Sequence, residues 1–127
     1  MDLKPREAVV LAEDYDGTVT WYMDALGFRV ARRFSGDYRY TNLETPSDMK
    51  LGIAPASEAG VTPRDRGSNT VILQISVPDV DALFEHLRDL GATITQGPSL
   101  DKAGGFWFGA FTDPEGNPIW VVDDNCP

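Results

Sequence analysis

The sequence predicts an α+β fold of two tandem βαβββ modules, and three observations carry that prediction. One order of elements occurs twice: a strand, an Asp-capped helix, a Leu-Gly stop and further strands. Ala12-Glu13-Asp14-Tyr15-Asp16 is answered by Val77-Pro78-Asp79-Val80-Asp81, and Leu26-Gly27 by Leu90-Gly91. Between the repeats, residues 55–69 (PASEAGVTPRDRGSN) are rich in Pro, Gly, Ser and charge and have no periodicity, which marks a linker. The chain then closes on a hairpin signature, Asp113-Pro114-Glu115-Gly116-Asn117, set between two aromatic-rich runs.

Taken in order, residues 8–12 are a short apolar run and read as a strand. Asp14 and Asp16 suit a helix N-terminus, Val19, Tyr22, Met23 and Leu26 recur at helical spacing, and Gly27 suits the left-handed stop. Residues 28–34, 38–43 and 49–54 read as three strands, separated by Ser35-Gly36-Asp37 and Thr45-Pro46-Ser47-Asp48. After the linker, residues 70–77 form a strand, and Pro78-Asp79 opens a helix with Val80, Leu83, Phe84 and Leu87 on one face. Residues 92–95 are expected as a strand and 97–105 as a loop. In the closing hairpin Asp113 can accept from backbone ahead of it, Pro114 pre-sets φ, and Gly116-Asn117 tolerate positive φ. Each module has one helix to cover its sheet, so two sheets side by side would curl around a shared concavity with the helices outside.

At 127 residues the chain is expected to be a single domain, with module one at 7–54, the linker at 55–69 and module two at 70–122. A net charge of −9 argues against nucleic acid or an anionic membrane surface as partner, since both require a basic footprint. No apolar run approaches a membrane span and the N-terminus has no signal-peptide apolar region, so a cytoplasmic location is expected. Cys126 is the single cysteine, which excludes an internal disulfide and a cysteine-based zinc site. There is no Gly-rich phosphate loop, no G-x-S-x-G and no Cys/His pair at catalytic spacing.

Two motifs, Trp21-Tyr22-Met23-Asp24-Ala25-Leu26-Gly27-Phe28 and Phe111-Thr112-Asp113-Pro114-Glu115-Gly116-Asn117, resemble the glyoxalase/bleomycin-resistance/extradiol-dioxygenase group, the vicinal oxygen chelate superfamily. The resemblance spans about residues 7–122. It implies a glyoxalase-like fold in which the paired modules form a cupped half-barrel sheet, usually in a homodimer. It also implies a small organic ligand in the cup, held with a divalent metal in the enzymes and without one in the antibiotic-binding members.

The resemblance places the metal ligands at Glu7, Ile72, Trp120 and one position within 49–54, where Lys50 and Met49 carry the only heteroatom side chains. A catalytic divalent metal needs about three N, O or S ligands. Glu7 alone qualifies, so no metal and no other cofactor is expected. His86, the single histidine, falls on the polar side of its helix beside Glu85 and Asp89. By strand alternation Pro118, Trp120 and Val122 share a face, as do Phe106, Phe108 and Ala110 by parity with the family. Trp107 and Phe111 then point to the helices or a partner subunit.

The expected ligand-binding residues are Glu7, Tyr40, Gln74, Phe106, Phe108 and Trp120, with Tyr38 and Asn42 as possible additions. The same aromatic stripe would also serve as plain core. The leading expectation is a metal-free binding protein of the antibiotic-resistance type that sequesters an aromatic or cationic compound. The alternative is a lyase, isomerase or dioxygenase of the same superfamily, either metal-dependent or working through Glu7 as a base. A third reading is a non-catalytic dimeric module.

Overall fold

Asp14 is where the first strand gives way to the first helix. Its carboxylate accepts the Gly17 backbone N–H at 3.0 Å, satisfying one of the donors that a helix start leaves open. Gly27, at φ 72°, ends the helix with a left-handed turn that costs a residue without Cβ little. The computed structural model describes residues 1–127, which divide into two units, Met1–Arg64 and Asp65–Pro127.

The first unit contains β1 (Ala8–Ala12), α1 (Tyr15–Leu26), β2 (Arg29–Ser35), β3 (Arg39–Glu44) and β4 (Lys50–Pro55). The sheet order is β1-β4-β3-β2, with β1 parallel to β4 and the other pairs antiparallel. α1 packs on β1 and β4, burying Tyr15, Thr18, Val19, Tyr22 and Ala25 on its inner side, while Leu43, Leu51 and Ile53 are buried in the sheet. Each such aliphatic side chain contributes about 1.5–3 kcal/mol on burial. Tyr15 and Thr41 share a hydroxyl–hydroxyl bond of 2.5 Å inside this layer. Met23, expected on the apolar face, is exposed instead, and Thr18 and Ala25 complete that face. Their small side chains let the helix approach the sheet, a preference that hydrophobic spacing alone does not reveal.

The second unit repeats the design with β5 (Leu73–Val77), α2 (Val80–Asp89), β6 (Ile94–Asp101), β7 (Phe106–Thr112) and β8 (Pro118–Asp123). Its order is β5-β8-β7-β6, again with the first and last strands parallel. Asp79 caps α2 through the Ala82 N–H at 3.1 Å, and Gly91 at φ 73° follows its end. Val80, Phe84 and Leu87 are buried beneath Phe111, Ile119 and Val121, with Phe84 and Phe111 edge to face at 6.2 Å. A Cβ on Gly109 would drive into the Phe84 ring and lie 2.9 Å from the Gln96 carbonyl oxygen, so this strand position must stay bare.

Two expectations need correction. Residues 97–105 are not all loop: β6 continues through Gly97-Pro98 to Asp101, with register irregularities between Ile94 and Gln96 and between Gln96 and Ser99, and only 102–105 form the turn. β6 lies at the sheet edge, where a proline removes no inner ladder bond, so Pro98 is tolerated within the strand. Tyr38 lies outside β3 and is 70% exposed.

Residues 55–69 attach to both units. Ala56 is buried and bonds the Ala12 carbonyl at 2.9 Å, and Glu58 pairs with Arg39 at 2.6 Å. A short 3-10 turn, Arg66–Ser68, begins at Asp65 in the second unit.

Candidate functional site

The closing hairpin fixes the strand that carries Trp120. Asp113, 3% exposed, accepts the backbone N–H groups of Glu115 and Asn117 through Oδ1, each at 2.9 Å, and the Asn117 side-chain amide through Oδ2 at 2.9 Å. Gly116 adopts φ 88°. Glu115 pairs with Arg66 at 3.0 Å, so its side chain ties the start of the unit to the turn as well. With the turn fixed, register follows: Trp120 lies opposite Ala110 on β7 and Gln74 on β5, and Ala110 lies opposite Gln96 on β6. The next row is Ser76, Val122, Phe108 and Ser99. Ile119 and Val121 are buried on the α2 side, which turns Trp120 to the other face with half of its surface exposed.

On that face lies a cavity of about 370 Å³ lined by Gln74, Gln96, Asp101, Phe106, Phe108, Gly109, Trp120, Val121, Val122 and Cys126. Four of the expected ligand residues, Gln74, Phe106, Phe108 and Trp120, therefore come together. The Phe106 and Phe108 rings are 6.2 Å apart and tilted by 56°. Three lining side chains were missed from the sequence: Gln96, Asp101 and Cys126. The first two sit on edge strand β6, past the residues 92–95 expected as strand. Asp101 Oδ1 accepts the Gly104 N–H at 2.8 Å, which holds its carboxylate beside Phe106. Cys126 is brought back by a turn in which its N–H bonds the Asp123 carbonyl at 3.1 Å. Asp123 itself is buried and accepts the Trp107 and Asn125 N–H groups, each at 3.0 Å.

Glu7 and Tyr40, the other two expected residues, meet each other in the first unit. The Tyr40 hydroxyl donates to Glu7 Oε2, and Asn42 Nδ2 donates to Glu7 Oε2 at 2.9 Å and Oε1 at 3.1 Å. Gly52 makes this possible. A Cβ there would run into the Tyr40 hydroxyl and lie 2.6 Å from Glu7 Oε2. The Tyr40 phenol is pushed up to about 12, chiefly by burial, then by its hydrogen bond to Glu7 and the negative charge of that carboxylate.

These contacts decide whether a metal fits. Glu7 and Ile72 each stand seven residues before a helix-capping aspartate, and the parallel registers make Gly52 the first-module counterpart of Trp120. The four corresponding positions are thus Glu7, Gly52, Ile72 and Trp120, with one oxygen donor among them. That donor is engaged by Tyr40 and Asn42, and the space beside Gly52 is filled by the phenol. No three His, Cys, Asp or Glu side chains group to hold an ion elsewhere in the chain. The residues present do not fit a divalent metal. His86 is exposed on α2, as its helical position suggested.

Comparison with known proteins follows the same lines. The family model described as Glyoxalase/Bleomycin resistance protein/Dioxygenase superfamily matches residues 6–121. No match is found among curated proteins. Among solved structures, a member of the same superfamily from Sphaerobacter thermophilus superposes with a TM-score of 0.74 at 19% identity, covering 96% of this chain and 98% of that one. TnmS3, an antibiotic binding protein from Streptomyces sp. CB03234, gives 0.72 at 21% identity, covering 97% and 98%. An E144Q mutant of glyoxalase I from Zea mays gives 0.75 at 22% identity, covering 90% of this chain and 43% of that one. At these identities the likeness carries the fold, not the ligand.

Proposed function

Because the chain belongs to the Glyoxalase/Bleomycin resistance protein/Dioxygenase superfamily, in which fold alone does not fix activity, we propose from the site itself that it is a metal-free small-molecule-binding protein of the antibiotic-sequestering type. The observation that carries this reading is the aromatic cavity of the second module, in which Trp120, Phe106 and Phe108 line the wall together with Gln74, Gln96 and Asp101. Organic ligands are bound by such mostly apolar concavities with a few placed polar groups. The sequestered compound is planar and aromatic, and it carries a cationic or amine group. An aromatic face attracts a cation, and the Asp101 carboxylate adds Coulomb attraction. The second unit supports this with ten acidic against three basic side chains, a net charge of −7.

Gln74, Phe106, Phe108 and Trp120 are proposed as ligand contacts on this module, and Glu7 and Tyr40 as ligand-facing residues of the first. A binding protein also accords with the presence of an antibiotic binding protein among the structural relatives. The protein is further proposed to act as a cytoplasmic homodimer. Edge strands β2 and β6 are unpaired on their outer sides within their own sheets, and such edges are usually paired or covered. No helix is long and apolar enough to cross a membrane.

Calorimetric titration with proflavine, a planar cation, and with 2-naphthoate, a planar anion, tests the reading when repeated after EDTA treatment. Saturable proflavine binding that exceeds naphthoate binding and survives EDTA is expected. Binding that requires an added divalent ion would favour the enzyme alternative, and a preference for naphthoate at this cavity would overturn the cationic-ligand reading.

A further inference from the structure

We infer that the open face of the first module holds a second, chemically opposite site, one for an oxyanion group presented by a small carboxylate or phosphate compound. A concavity of about 280 Å³ lies there, lined by residues that include Arg6, Arg32, Lys50 and Asn42. Its position follows from strand register. Val30 lies opposite Leu43, and the next registered pair is Arg32 with Asn42, so Ala31 is an extra residue in β2. Without that bulge, alternation would turn Ala31 toward the open face and Arg32 toward the buried row of Thr41. With it, Arg32 joins Asn42 and Gly52 on the open face. Bulges of this kind re-aim side chains at sites. Arg32 is also held in place, its guanidinium carbon 4.3 Å from the centre of the Phe34 ring.

Charge pairing leaves these cations available. Glu44, which also lines the concavity, is engaged by Arg29 at 3.4 Å, and Lys50 reaches only the exposed Asp48 at 3.6 Å. Neither Arg6 nor Arg32 forms an ion pair with a carboxylate. Glu7 lines the same concavity, but it already accepts the Tyr40 hydroxyl and the Asn42 amide. Two guanidiniums at one concavity suit an oxyanion, because the planar fork matches carboxylate and phosphate oxygens in pairs. The distribution of charge agrees. The first unit carries eight of the eleven Lys and Arg residues against ten acidic ones, a net charge of −2 where the second unit has −7.

This site rests on residues of the first unit alone, and its test is separate from that of the aromatic cavity. Calorimetric titration with inorganic phosphate and with benzoate is run alongside NMR shifts of the Asn42 side-chain amide. Saturable binding of at least one probe that shifts the Asn42 amide and weakens with added salt is expected. Arg32→Gln weakens it about tenfold, the loss of one good charged contact, and Arg32→Lys loses less. Glu7→Gln tightens it by removing a like charge. Stronger binding of phosphate points to a phosphorylated compound, and of benzoate to a carboxylic acid. Absence of saturable binding for both probes, or an Arg6→Gln/Arg32→Gln variant that binds like the unaltered protein, overturns the inference.

Discussion

Replacing Asp113 with alanine removes the group on which the last hairpin turns. The carboxylate is 3% exposed and accepts three hydrogen bonds at 2.9 Å, two from backbone N–H groups and one from the Asn117 side chain. Hydrogen bonds to charged groups contribute about 1.5–3 kcal/mol each, and orphaned donors that stay buried add a penalty of about 1–3 kcal/mol. The three bonds act on one turn and are not additive, and Asn117 is only partly buried, so water recovers part of the loss. The net cost works out at about 2–4 kcal/mol. Asp113→Asn is the control. Its carbonyl oxygen can still accept the two backbone donors, but its amide then faces the amide of Asn117, so it should lose about half as much. Urea unfolding followed by tryptophan fluorescence reads both variants, with the slope unchanged and the midpoint shifted. A loss below about 0.5 kcal/mol for Asp113→Ala, the range of an ordinary surface substitution, would refute the reasoning.

Three further outcomes are expected. Gly52→Ala should cost about 1–3 kcal/mol by overpacking against Tyr40 and Glu7, and Tyr40→Ala in the same chain should relieve most of it; equal costs in both backgrounds would contradict the packing described. The Tyr40 phenol should titrate at about 12 in the folded protein and fall only part of the way toward 10.0 in Glu7→Gln, because burial, the larger cause, remains, as read by ultraviolet absorbance. Because this value is raised, its contribution to stability is intact below pH 10.0 and is lost as pH rises toward about 12; four tyrosines titrating in one step near 10 would contradict it. Glu58 is held below its ordinary 4.5, first by the Arg39 backbone N–H and then by its side chain, so its contribution is present above 4.5 and lost as the solution is acidified further. Glu58→Gln should flatten that part of the acid unfolding curve, and an unchanged curve would count against the pair.

Much of the fold was legible because the same local chemistry occurs twice. Asp14 and Asp79 cap, Gly27 and Gly91 take positive φ, and period-two alternation put Trp120 opposite the buried Ile119 and Val121. What the sequence concealed depends on pairing partners. Pro98 reads as a break in isolation and is tolerated because β6 is an edge, and with that strand went Gln96 and Asp101. The extra residue at Ala31 shifts Arg32 to another face, and no local signal in an Arg-Arg run announces a bulge. Nothing local marks Gly52, because Tyr40 and Glu7, which occupy the space its side chain would need, come from other parts of the sequence.

The central claim is that Trp120 forms part of a ligand-binding wall, and calorimetric titration of Trp120→Ala with proflavine tests it most directly. The account predicts a folded variant whose affinity drops by about 2 kcal/mol or more, the loss expected of a large aromatic anchor, with a smaller drop for Asp101→Asn. If both variants bind proflavine as the unaltered protein does, the aromatic face is packing rather than a site.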